Sequence, residues 1–135
     1  MEMAVPIEVS LPMTQTGPGG FELHGEIAGV GGDFLLDTGA SMITINRNLF
    51  REIQKRNKLE KVHSVGARLA SGEIKLLDVY RVEQFTIGNA CKLGPVEFAV
   101  VDKGGRNLLG MNALSQVAPF TISMSPPQLS LAQCL

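Results

Sequence analysis

Apolar and polar side chains alternate through VPIEVSLPM (Val5–Met13), the two-residue period of a strand with one buried face. TQTGPGG (Thr14–Gly20) breaks that pattern with turn formers and predicts a loop. FELHGEIAGVGGDFLLD then predicts a hairpin: Phe21–Ala28 as one arm, Gly29–Gly32 as the turn, Asp33–Asp37 as the return. SMITIN, rich in β-branched residues, predicts the next strand. In RNLFREIQKRNKL the period changes, with Leu49, Phe50 and Ile53 falling on one side and Leu59 beyond them. Asn46 stands in front as an N-cap, so a short helix is predicted from Arg47 to Asn57.

Alternation returns in VHSVGARLA and EIKLLDVYRVEQFTI, two long strands flanking a Ser71–Gly72 turn. GNACKLG reads as a turn, PVEFAVVD as a strand and KGGRN as a loop. LLGMNALSQV reads as an apolar strand end passing into a short helix after Gly110. PFTISM and QLSLAQ close the chain as strands separated by SPP, where the prolines exclude a central ladder position. The expected architecture is mostly β with one or two short helices, formed as a single domain over residues 1–135, since 135 residues support one modest core.

Composition narrows the function. Fifteen glycines and no tryptophan in a chain with 44% hydrophobic residues fit short strands and tight turns. The net charge of -1, with acids and bases interspersed, carries no nucleic-acid footprint and no polybasic lipid-binding run. Peptides, proteins or small molecules are the expected partners. Cys91 and Cys134 match no metal spacing, and so few cysteines make a disulfide framework improbable. Both are expected to be reduced, which favours a cytosolic setting. No signal peptide and no apolar run of bilayer-spanning length is read; an anchored or periplasmic protein would need a removed N-terminal segment.

One residue breaks the apolar pattern of FLLDTGASMITI: Asp37, placed between Leu36 and Thr38. A buried, unpaired carboxylate costs several kcal/mol. An Asx-type turn, with the carboxylate accepting N–H groups of Gly39 and Ala40, is one explanation. A catalytic acid on a strand-to-loop elbow is the other, and a second apolar-apolar-glycine element, Leu108-Leu109-Gly110, lies far downstream.

Together, LLDTGAS and LLGMNALS, in this order, resemble the retropepsin-like single-domain aspartic proteases, the bacterial members in particular. GGFELHGEIAGVGGDFLLDTGAS is similar to that family's N-terminal hairpin and D-T-G-A loop, and LASGE (Leu69–Glu73) to its flap tip. Ala28 departs from the pattern, standing where relatives often carry Asn. The resemblance implies a closed β-barrel with a flap hairpin, and an aspartic endopeptidase with no cofactor and no metal. It implies Asp37 as the catalytic acid, with Thr38, Gly39 and Ala40 supporting it in the loop. Leu69, Ala70, Ser71 and Gly72 would form the substrate-binding flap, with apolar pocket walls near Ala67, Leu69 and Ile74. Leu108, Leu109 and Gly110 would pack beneath the loop. Water activation by carboxyls takes two of them, one accepting and one donating a proton. The chain holds a single Asp-Thr-Gly; Asp33, Asp78 and Asp102 lack the Thr-Gly that follows Asp37. The second acid would therefore be Asp37 of an identical chain in a homodimer. Thr38 would cross the axis, and the chain ends would contribute strands to the interface.

Other hydrolases fail on sequence: neither G-x-S-x-G nor H-E-x-x-H occurs, and the glycine runs match neither dinucleotide nor Walker spacing. The rival from another class is a non-catalytic dimerisation or peptide-binding module of the same fold. An intact Asp-Thr-Gly argues against it, because a binding module has no need of a costly carboxylate pair.

Overall fold

The computed structural model describes residues 9–68, 71–102 and 104–134. Thirteen strands dominate this part of the chain. The first five are β1 (Val9–Pro12), β2 (Thr14–Gln15), β3 (Phe21–Ile27), β4 (Val30–Leu36) and β5 (Ile43–Asn46). Helix α1 (Arg47–Gln54) follows, then β6 (Glu60–Arg68), β7 (Ile74–Val82), β8 (Phe85–Ile87), β9 (Cys91–Leu93) and β10 (Val96–Val101). The last segment carries β11 (Leu108–Leu109), α2 (Met111–Leu114), a 3-10 turn (Ser115–Val117), β12 (Phe120–Met124) and β13 (Pro127–Leu131).

Ten strands join in one sheet, ordered β6-β7-β10-β5-β11-β4-β3-β8-β9 with β2 beside β3. A separate sheet, β1-β13-β12, unites the two ends of the described chain. β4 and β11 run parallel, as do β5 and β10, so the middle of the large sheet is built from segments distant in sequence.

Alternation decides the core. In β3 the residues Phe21, Leu23, Gly25 and Ile27 turn inward while His24 faces solvent. Ile43 and Ile45 of β5, Phe34 of β4 and Phe98 of β10 are buried in the same apolar cluster. The ring of Phe34 meets that of Phe85 edge-on at 5.4 Å. A Cβ at position 25 would fall 2.9 Å from Phe34, so the close approach of strand to rings requires glycine there. Helix α1 covers one side with Leu49, Phe50 and Ile53. The Asn46 Oδ1 accepts the Leu49 N–H at 2.9 Å, a cap contributing about 1 kcal/mol.

Several boundaries differ from the sequence reading. The first hairpin turns on Ala28 and Gly29 alone, at φ of 50° and 85°, and Gly31 and Gly32 belong to β4. A two-residue turn with both residues left-handed matches the twist of paired strands, which a four-residue loop does not require. The long strand after Gly72 divides at Glu83–Gln84: β7 stays beside β10, and β8 leaves to pair with β3. The Thr14–Gly20 stretch is partly strand, and Thr16 N–H donates to Gly20 C=O at 2.8 Å to close the remainder. Helix α1 stops at Gln54.

The cysteines require a correction. Cys91 and Cys134, expected to be reduced, are joined in a disulfide that spans 43 residues and ties β9 to the segment after β13. Sequence spacing carries no sign of this pairing, because the fold alone brings the two segments within a Cα distance of 5.0 Å. With both cysteines bridged, their small number no longer argues for a reducing compartment. Among the described residues no helix is long and apolar enough to cross a membrane.

Candidate active site

Asp37 stands one residue beyond β4, where the chain leaves the sheet. Its N–H donates to Leu109 C=O at 3.1 Å, extending the parallel β4–β11 ladder by one bond. Its own C=O accepts the Ala40 N–H at 3.2 Å, which makes Asp37–Ala40 a tight turn. The Gly39 N–H donates to the Asp37 carboxylate at 2.9 Å. Thr38 and Gly39 are exposed at the tip of this turn, while Asp37 and Ala40 are half-buried.

The loop is held from below. Short as it is, α2 has orphan N–H donors in its first turn, and the loop takes two of them. Met111 N–H donates to Ala40 C=O at 2.8 Å and Asn112 N–H to Ser41 C=O at 3.1 Å. Gly110, immediately before, is buried against the backbone of Met42: a Cβ at position 110 would lie 2.4 Å from the Met42 carbonyl oxygen. Leu109 is buried in the core and Leu108 is half-buried.

Two asparagines complete the framework, and the sequence reading missed both. The Asn112 Oδ1 accepts the Ile43 N–H at 2.9 Å, and its Nδ2 donates to Glu97 C=O at 2.7 Å. Asn107 bonds the Asn46 N–H and the Asp33 C=O through its side chain, and Leu35 N–H donates to its C=O. Each lies within three residues of Leu108-Leu109-Gly110, the one sequence signal that could have drawn notice to them.

Register aligns a row of side chains with Asp37. Leu35 shares its strand face by alternation, and Leu35 is paired with Glu22 on one side and Leu108 on the other. Leu108 in turn pairs with Thr44. At the Leu108–Thr44 end of this row a cavity of about 490 Å3 opens, lined by Thr44, Val101 and Leu108 and, from the β6–β7 hairpin, by Ala67, Lys75 and Leu77. Asp102 and Arg106 flank it; Lys75 pairs with Asp102, and Arg106 reaches Glu22 at 3.9 Å.

The placement of the expected site residues divides as follows. Asp37 through Ala40 and Leu108 through Gly110 come together. Ser71 and Gly72 are exposed at the far end of the β6–β7 hairpin, with Gly72 at φ 89°. Leu69 and Ala70 lie outside the described residues. Ile74, expected near the pocket wall, faces solvent at 66% exposure; alternation turns Lys75 to the cavity in its place.

Comparison with known proteins bears on this arrangement. Residues 23–116 match the family model described as "gag-polyprotein putative aspartyl protease". No curated protein matches the chain. Among solved structures, the chain is similar to a retropepsin-like aspartic protease from Rickettsia conorii, with a TM-score of 0.64 at 22% identity. The match covers 92% of this chain and 89% of that one. The fold is thus retropepsin-like, and with a family model that includes both the Asp37 loop and the Leu108–Gly110 support, this chain belongs to the gag-polyprotein aspartyl protease family.

Proposed function

We propose that the protein is an endopeptidase that hydrolyses peptide bonds with a water molecule held between two Asp37 carboxyls, one from each chain of a homodimer. The observation that carries this reading is the geometry of a half-site. Asp37 stands at an elbow braced by α2 and β11, its carboxylate bonded to the Gly39 N–H and half open to solvent. Among the described residues no hydrogen bond or ion pair joins it to a second acid. Two such elbows facing across an axis put two carboxyls close enough to share a proton, since like charges at short range separate the two ionisations. The ionised member takes a proton from water, and the protonated member donates to the carbonyl oxygen of the peptide.

Thr38, exposed at the tip, reaches toward the partner loop in this arrangement. The β1-β13-β12 sheet, where both described ends meet and Met124 is 63% exposed, provides strands for the interface. The substrate is an extended peptide that lies along the Leu35–Leu108–Thr44 row beneath the β6–β7 hairpin, which acts as the flap. Backbone hydrogen bonds supply affinity, and the cavity receives one side chain.

The test is cleavage mapping on a mixed peptide library from acid to neutral pH, with wild type and Asp37→Asn side by side and the assembly state followed by sedimentation. Cleavage by the wild type alone, tracking the dimer fraction, is expected. Equal cleavage patterns from the two proteins, or full activity from a strict monomer, would refute the mechanism.

A further inference from the structure

The β6–β7 hairpin outruns its support. Backbone pairing between β7 and β10 covers Val79–Val82 only, so residues 74–78 have β6 as their single ladder neighbour. On the outer face Ile74 and Leu76 are 66% and 74% exposed. The other ion pairs of the hairpin lie elsewhere, among them Arg81–Glu83 where β7 ends. Lys61 and Asp78 brace it internally at 3.0 Å, holding the Asp78 carboxyl below its ordinary range, and His63 meets Glu97 of β10 at its base. Among the described ion pairs, Lys75–Asp102 is the one that ties the outer part of the hairpin to the body of the protein.

Both members of that pair line the cavity that opens at Leu108 and Thr44, together with Ala67, Leu77 and Val101. From this placement we propose that Lys75 and Asp102 form a strap across the cavity, positioning the hairpin over the substrate and selecting a neutral aliphatic side chain beneath it. An aliphatic occupant fills the apolar walls and leaves the pair intact. A carboxylate in the same place competes for Lys75 and an ammonium for Asp102, and either one releases the hairpin. The selectivity deepens the peptidase reading and rests on it, whereas the strap itself does not.

The side chains of the pair are about half exposed, and a pair of this kind shifts an equilibrium by up to about fivefold. Amide hydrogen exchange reads the strap without reference to catalysis. In Lys75→Met and in Asp102→Asn, amides of residues 64–68 and 74–78 are expected to exchange about two- to fivefold faster, while those of α1 and β10 keep their rates. The swapped protein, Lys75→Asp with Asp102→Lys, is expected to return toward wild type. Wild type in 1 M salt, which screens the pair, is expected to match the single variants without any substitution. Unchanged exchange in the single variants and in salt, or a swap as fast as the single variants, would overturn the strap.

Kinetics read the selectivity. With peptides varied at one position near the cleaved bond, Asp102→Asn is expected to raise kcat/KM for an acidic side chain relative to leucine severalfold, and Lys75→Met to do so for a basic one. An unaltered preference in both variants would overturn the selection. Absence of cleavage by every protein, wild type included, would count against the peptidase reading and the selectivity that rests on it, while exchange still decides the strap.

Discussion

Replacing Gly110 with alanine adds one methyl group at the point where α2 meets the Asp37 loop. The new Cβ would lie 2.4 Å from the carbonyl oxygen of Met42, 2.6 Å from its carbonyl carbon and 2.9 Å from its nitrogen. Ordinary contact begins near 3.4 Å, so the two backbones must separate by about 1 Å. The glycine's own conformation does not oppose the change: at φ -97° and ψ -177° alanine is comfortable. The loss of unfolded-chain entropy favours the variant by about 0.4–1 kcal/mol. Against that stands overpacking of a buried backbone crossing, about 1–3 kcal/mol. A net loss of about 1–2 kcal/mol is expected, read as a lower midpoint in guanidinium unfolding at unchanged slope. The larger effect falls on the site. Met42 follows directly on the loop, and the Met111 and Asn112 N–H groups that brace Ala40 and Ser41 move with position 110. On the mechanism proposed above, displacing the Asp37 carboxyl by about 1 Å lowers the rate on the order of a hundredfold. A Gly110→Ala protein with the stability and kcat/KM of the wild type would refute the claim that this crossing sets the position of Asp37.

Asn112→Ala leaves the N–H of fully buried Ile43 without its partner and is expected to cost about 1–3 kcal/mol in chemical unfolding; a cost below a few tenths would deny the asparagine its bracing role. Removing the disulfide with Cys91→Ala and Cys134→Ala opens a 43-residue loop and is expected to cost about 4 kcal/mol on chain-entropy grounds. Reductant should lower the Tm of the wild type and leave that of the double variant unchanged; a wild type indifferent to reductant would contradict it. Ala28→Asn replaces a left-handed alanine at φ 50° with a residue that adopts this conformation readily ahead of glycine. A gain of about 0.5–1 kcal/mol is expected, and calorimetry showing a loss would contradict the turn assignment.

What the sequence determined by itself is what local chemistry encodes. Alternation marked most of the strands, because a residue's face follows from its place in a two-residue period. The apolar triplet Leu49, Phe50 and Ile53 with the Asn46 cap announced α1, and Asp37 stood out as an acid among apolar neighbours. The Leu108-Leu109-Gly110 support was legible through its resemblance to a known family.

Tertiary structure decided what depends on segments far apart in the chain. It set a two-residue first turn, because strand twist prefers one, and it divided the strand after Gly72, because β8 found its partner in β3. The disulfide, the brackets made by Asn107 and Asn112, and the meeting of Lys75 with Asp102 also belong to it. No local pattern specifies such contacts: each depends on register across the sheet, and a one-residue slip would turn every side chain to the opposite face. Lys75 rather than Ile74 faces the cavity for that reason alone.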